Sequence, residues 1–299
     1  MRGLPLRVSL RLPHFPKPAH LRGFRAVPGA AFKSCPFVLP LYFRDFSFSN
    51  LHIFQNFAKE FNNMKIISEN KRGKVDMGWL QSAHSFSFGT YYNPEMIHFG
   101  ALRVLNDDHI KGGYGFPLHP HDNMEIITIV LNGTLEHKDT IGNKGVLLSG
   151  DVQLMGAGTG IFHSEANPDA DNPLELLQIW VFPSTKGLSP SYQQKNFSHE
   201  LTSESPVLLL GPEPTAPLQI RQKAWFTRWQ PKSNNEFSYL PHEPSSGLYV
   251  FVIDGNVTVQ EKMLAKRDAL TIENLSNLQI NVKASDNSDV LFMEVPMQW

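Results

Sequence analysis

The segment Ile127–Leu135 (ITIVLNGTL) returns in altered form at Tyr249–Val257 (YVFVIDGNV). In each copy an apolar run of strand length ends at Asn-Gly or Asp-Gly and a second run departs, the strongest short-range signal for a β-hairpin. A further pair, Leu177–Pro183 (LQIWVFP) and Val290–Pro296 (VLFMEVP), follows in the same order. Repetition of this kind predicts two tandem copies of one β-barrel.

The rest of the chain from Met64 has the same texture. Runs such as Ala101–Leu105, Glu125–Leu131, Gly145–Leu148 and Val207–Leu210 alternate with Gly, Asn, Asp and Pro turns, as in sandwiches and barrels. No long amphipathic helix interrupts them, and no glycine loop opens a helix for phosphates. The expected fold is therefore all-β, with a first barrel over 64–195 and a second over 196–299, joined by the polar, Ser- and Pro-rich stretch Ser184–Pro206. Residues 1–63 read differently. They are rich in Pro and Arg, and no acidic residue precedes Asp45. We expect a largely unstructured extension, either read through from upstream with Met64 as the true start or acting as an organelle-targeting segment.

Composition removes several function classes. The formal net charge of the 299 residues is -1, so there is no global basic field to attract nucleic acid. The single cysteine, Cys35, rules out an intramolecular disulfide and a thiolate zinc site, and suits a reducing compartment such as the cytoplasm. No stretch reaches the roughly 20 apolar residues needed to span a bilayer as a helix. We expect a cytoplasmic monomer with no membrane partner.

The chemistry is concentrated in two short segments, Gly115–Glu125 (GFPLHPHDNME) and Gly156–Asn167 (GAGTGIFHSEAN). Side chains alternate faces along an extended chain, so residues at i and i+2 project together. His119 and His121 form one such pair, stiffened by Pro120 between them. His163 and Glu165 form another. Two such pairs on facing strands offer three imidazoles and one carboxylate to a single point in the barrel. That donor set suits divalent Fe, Mn, Ni, Cu or Zn and leaves room for water or substrate. Phe116, Met124, Met155 and Phe162 flank the pairs and are candidates to wall a bound ligand. His84, His98, His109, His137, His199 and His242 lack such partners and read as surface or hydrogen-bonded residues.

Gly113, His119-Pro120-His121, Glu125 and Gly133 resemble the first cupin motif, and Gly160, His163 and Asn167 the end of the second. More narrowly, Gly78-Trp79-Leu80 with His84–Phe88, Leu102–Asp108, Gly158–Glu165 and Leu177–Val181 resemble the pirin family, and in particular its shorter bacterial members. The resemblance runs from about Met64 to the C-terminus. It implies two cupin (jelly-roll) barrels and a metal, iron first, on His119, His121, His163 and Glu165. In cupins the glutamate at the Glu125 position is often a ligand. In pirins the carboxylate follows the third histidine by two residues, so Glu125 is assigned to the surroundings of the metal or to structure.

The second copy lacks the ligand pattern. Counting back from Gly255 by the interval that separates Gly133 from His119 lands on Pro241, with only His242 nearby, so this barrel is expected to be metal-free. Resemblance to pirins implies flavonol dioxygenase activity, with quercetin and O2 as substrates and Glu165 as proton acceptor. The alternative it carries is a metal-binding regulatory protein acting through a protein partner, as eukaryotic pirins are associated with transcription factors. A cupin sugar isomerase fits less well, because Glu165 replaces the ligand arrangement expected there.

Overall fold

The computed structural model describes residues 63–275 and 279–299; the extension expected over 1–63 lies, Asn63 apart, outside the described residues. In chain order the strands are β1 (Met64–Ile67), β2 (Gly73–Asp76), β3 (Leu80–His84), β4 (Leu102–Ile110), β5 (Gly115–His121), β6 (Glu125–Asn132) and β7 (Thr134–Asp139). Then come β8 (Lys144–Leu148), β9 (Asp151–Gly156), β10 (Ile161–Ala166), β11 (Leu174–Val181), β12 (Ser191–Asn196), β13 (Val207–Leu210) and β14 (Trp225–Trp229). The last are β15 (Asn235–Tyr239), β16 (Ser246–Asp254), β17 (Asn256–Val259), β18 (Lys262–Ala265), β19 (Ala269–Ile272), β20 (Ile280–Ala284) and β21 (Asp289–Pro296). Among the described residues, no helix is long and apolar enough to cross a membrane.

Two barrels result, as the internal echo requires. The first combines the sheet β12-β9-β6-β11-β4-β3-β2 with the smaller sheet β5-β10-β7-β8, and the second combines β1-β19-β16-β21-β14-β13 with β15-β20-β17-β18. The large sheets pack on each other. Ile127, Ile129, Leu177 and Ile179 of the first share one core with Phe226, Tyr249, Phe251, Leu291 and Met293 of the second. This explains the near-continuous apolar runs of β6, β16 and β21. Each has one face toward its own barrel interior and the other toward the neighbouring barrel, so alternation is lost. The small sheets keep it: β10 reads buried, exposed, buried along Ile161, Phe162 and His163.

Three expectations change. First, β1 does not open the first barrel; it pairs with β19, Met64 opposite Ile272, and so extends the large sheet of the second barrel. Second, the Asn-Gly and Asp-Gly turns are corners between sheets rather than hairpins, because β6 and β7, and likewise β16 and β17, belong to different sheets. Gly133 and Gly255 make these corners at φ 84° and 78°, a conformation that costs glycine little. At Gly133 a Cβ would also lie 2.6 Å from the Pro173 carbonyl oxygen. Third, matching the second echo on its terminal prolines is wrong by one residue. Gln178 lies opposite Thr128, and the residue opposite the corresponding Val250 is Phe292, not Leu291. A one-residue slip exchanges inside for outside.

The corrected register exposes a contrast between the barrels. In the first, Gln153, Thr128 and Gln178 stand side by side on β9, β6 and β11, facing inward. The corresponding residues of the second are Leu270, Val250 and Phe292, all part of an apolar interior with Trp229, Val282 and Val290. At these three positions one barrel is lined for polar chemistry and the other for packing.

An ion pair also ties the neighbouring strands β14 and β21 of the second barrel. Arg228 donates from Nε to Asp289 Oδ1 at 2.9 Å and from a terminal nitrogen to Oδ2 at 2.6 Å, with both side chains largely shielded from water. Removing one partner of a buried pair strands the other, at about 3–5 kcal/mol. Arg228→Ala is therefore expected to lower unfolding stability by that amount in chemical denaturation, with little loss in an Arg228→Ala/Asp289→Leu double variant.

Candidate metal centre

β5 and β10 lie side by side in the small sheet, and the register puts His163 directly opposite His119 and Ile161 opposite His121. A bulge follows. Glu165 is opposite Phe116, so three residues of β5 match two of β10. Pro117, which has no N–H to give a ladder, sits in this irregular stretch, where proline is tolerated. His163 and Glu165 both point into the barrel and are buried.

The three imidazoles converge. Ring centroids are 4.4 Å apart for His119 and His163, and 4.8 Å for each of them to His121. Their donor nitrogens lie within 4.8 Å of one another. His119 Nδ1 donates to the Pro117 carbonyl at 2.7 Å, which leaves the lone pair on Nε2 for the shared space. Burial, reinforced by the neighbouring imidazoles, holds His121 at a pKa of about 4 and His163 at about 2. Both are neutral and able to ligate at physiological pH. Both ring nitrogens of His163 are buried without a hydrogen-bond partner, although buried polar groups are almost always satisfied. A metal ion answers that deficit, so the donor set fits one.

Glu165 sits deeper than the sequence pattern suggests. Its carboxylate accepts from Gln178 Nε2 at 2.8 Å, Thr128 Oγ1 at 3.2 Å and Gln153 Nε2 at 3.3 Å. Complete burial pushes its pKa up to about 7 against the pull of these bonds. The polar residues on the large sheet thus form the floor that holds the carboxylate. Gln178→Leu removes the shortest of the three bonds, and loss of an outer partner costs roughly 10–100-fold in metal affinity. Competition with a chelator is expected to show that loss with the folded spectrum unchanged.

The flanking residues divide. Phe116 lies edge-on to Trp79 at 5.5 Å and to His119 at 6.4 Å. Met124 and Met155 pack with Ile126, Ala157, Ile161 and Trp180, and Trp180 reaches His121 edge-on at 4.9 Å. Phe162 does not wall the site. Strand alternation turns it outward, 48% exposed. Glu125 faces away from the histidines, on the side of β6 opposite Thr128, and accepts from the Arg221 backbone N–H at 3.2 Å; burial raises its pKa to about 7. This contact ties Glu125 to the backbone of the segment that precedes β14.

Two of the histidines read as unremarkable are buried in the first barrel: His84 and His137. His137 lies 5.3 Å from His163 between ring centroids. Period-two counting onward from the buried Leu135 would have placed it inside. Trp180, also missed, follows Gln178 on the inner face of β11 by the same count. A groove of about 610 Å³ lined by Arg72, Asp107 and Arg267 lies apart from these histidines.

The family model described as Pirin matches residues 65–181, and that of the quercetinase C-terminal cupin domain matches 208–295. The quercetin 2,3-dioxygenase of Escherichia coli (strain K12) is 40% identical over 228 residues, covering 76% of this chain and 96% of the relative. The chain belongs to the pirin family. The crystal structure of a bacterial pirin from E. coli in complex with nickel(II) is 38% identical, with a TM-score of 0.72, covering 78% of this chain and 99% of that one. A quercetin 2,3-dioxygenase from Acinetobacter baumannii, at 19% identity and a TM-score of 0.62 over 80% of each chain, shares the pirin fold. The bicupin architecture expected of a pirin is thus present over both matched segments.

Proposed function

We propose that this protein is a metal-dependent dioxygenase that opens the ring of a flavonol at its 2,3 bond, with quercetin as the test substrate. The observation that carries the reading is the convergence of the imidazoles of His119, His121 and His163, the last with two ring nitrogens otherwise unsatisfied. The activity named for the E. coli relative at 40% identity supports the substrate class.

In this reading His119, His121 and His163 hold one divalent ion and Glu165 supplies a fourth donor from the floor. Iron is our first choice; the nickel(II) of the E. coli pirin supports a divalent transition metal. A bound ion would act as a Lewis acid toward the flavonol 3-hydroxyl, lowering its pKa. Glu165 then accepts the hydroxyl proton on a carboxylate oxygen. Thr128, Gln153 and Gln178 orient that carboxylate and stabilise its charge. Trp180 and Met124 offer an apolar surface at the mouth that excludes water from the aromatic substrate. The overall reaction takes up O2 and releases carbon monoxide.

The test is oxygen uptake by the protein loaded in turn with Fe2+, Mn2+, Ni2+ and Cu2+ and supplied with quercetin. Carbon monoxide release matching O2 consumption supports the proposal. No uptake with any of the four, in protein shown to hold the ion, contradicts it.

A further inference from the structure

His137 occupies a position that the metal centre as described does not use. Its side chain is completely buried, and Nε2 lies 3.2 Å from Asp139 Oδ2. That carboxylate is itself fixed: Oδ1 accepts from the backbone N–H groups of Ile141 and Asn143, and Oδ2 from Asn143 Nδ2 at 2.8 Å. A carboxylate can only accept here, so the His137 proton resides on Nε2 and the lone pair is left on Nδ1. Nδ1 is buried and has no hydrogen-bond partner.

The donor atoms of His137, His163 and Glu165 lie within 4.8 Å of one another, all three residues buried. A buried acceptor without a donor costs about 1–3 kcal/mol, and unsatisfied nitrogens of two histidines here adjoin a fully buried carboxylate. The Asp139–His137 arrangement is also the one that metal-binding histidines adopt, with the distal N–H given to a carboxylate so that the ring is oriented and its other nitrogen made more basic.

We propose that His137, His163 and Glu165 form a second, inner seat for a divalent transition-metal ion, sharing His163 and Glu165 with the outer set and supported by Asp139. The inference rests on the metal-centre reading given above and adds to it a ligand and a position. Once His119 and His121 are lost, His137 still completes a set of three buried donors with His163 and Glu165, so the inner seat remains. An ion held there lies beneath His119 and His121 and is removed from the mouth. A histidine merely satisfied by Asp139 would have no such effect on metal binding.

The test uses Co2+ as the probe, titrated into the full-length chain and followed by its visible absorption and by dialysis. With His119 and His121 both changed to Ala, the protein is expected to bind one Co2+ per chain. Adding His137→Ala is expected to weaken that binding by at least about 100-fold, the upper end of what loss of a supporting group alone produces. Should the triple variant not fold, His137→Gln in the same background, with folding checked by circular dichroism, serves instead. If the wild type binds Co2+ and the double variant does not, or if the variant lacking His137 binds as tightly as the double variant, the inner seat is disproved while the outer centre stands. A wild type that binds no Co2+ overturns both.

Discussion

His163→Ala is expected to abolish both metal retention and quercetin-dependent oxygen uptake. His163 is the residue every part of the centre shares. It lies opposite His119 across the β5–β10 ladder, its ring is within 4.8 Å of those of His119 and His121, and it belongs to both groups of converging donors. Losing it removes a ligand rather than a support, so affinity should fall by more than the roughly 10–100-fold that an outer partner is worth. The fold should survive. His163 makes no hydrogen bond that the barrel depends on, and the polar floor of Thr128, Gln153 and Gln178 remains in place. Metal analysis after dialysis, read beside a thermal melt of the metal-free protein, separates the two effects: metal content near zero with an unchanged metal-free melting temperature. Wild-type metal content in the variant would refute the assignment.

The second large effect falls on the other barrel and on stability alone. Phe292 is completely buried, stacks on Tyr239 at 5.5 Å and meets Phe237 edge-on at 5.4 Å. Deleting a buried aromatic side chain costs about 3–5 kcal/mol, because the lost transfer energy is joined by the cavity left behind. Phe292→Ala should therefore unfold at markedly lower denaturant concentration. Metal affinity should be unaffected so long as the protein is folded, since Phe292 lines the second barrel and Gln178, its counterpart, lines the first. The complementary change, Phe292→Gln, transplants the polar residue of the first barrel into an apolar cluster, where the carboxylate two residues on, Glu294, is already taken by the Tyr239 hydroxyl and the backbone N–H groups of His242 and Glu243. It should cost as much as the alanine or more, because an unpaired amide is buried. A stable, cooperatively folding Phe292→Gln protein would show that the contrast between the barrels is not energetic.

These predictions depend on side chains whose roles were unequally legible in the sequence. His119, His121 and His163 were readable because period-two spacing on a strand sends neighbours at i and i+2 to one face. Such spacing says nothing of depth, and so it missed that Glu165 rests on Gln178, Gln153 and Thr128. Those three lie in runs buried on both faces, where alternation carries little signal. Phe162 is apolar, as a residue walling a site would be, but strand alternation turns it outward. His137 stands in a segment with no second histidine near it, and only the pairing of β7 with β10 brings it to His163 and Glu165. The duplicated barrel was visible in the echo of Ile127–Leu135 at Tyr249–Val257. Its consequence for function required the register, since Leu291 and Phe292 differ by one position and face opposite sides of the sheet. The Asn-Gly and Asp-Gly corners teach the same lesson. Local chemistry set the turn at Gly133 and Gly255, but the packing of two sheets decided that the strands on either side would part.

X-ray absorption at the metal edge of the Ni2+-loaded wild-type protein examines the centre without relying on turnover or on any substitution. With His119, His121 and His163 as the resident ligands, the outer-shell scattering should require three imidazoles, with light oxygen or nitrogen donors filling the remaining positions and no sulfur. A spectrum fitted by one imidazole or none would mean that the two strand segments do not share an ion, and the dioxygenase proposal would lose its foundation.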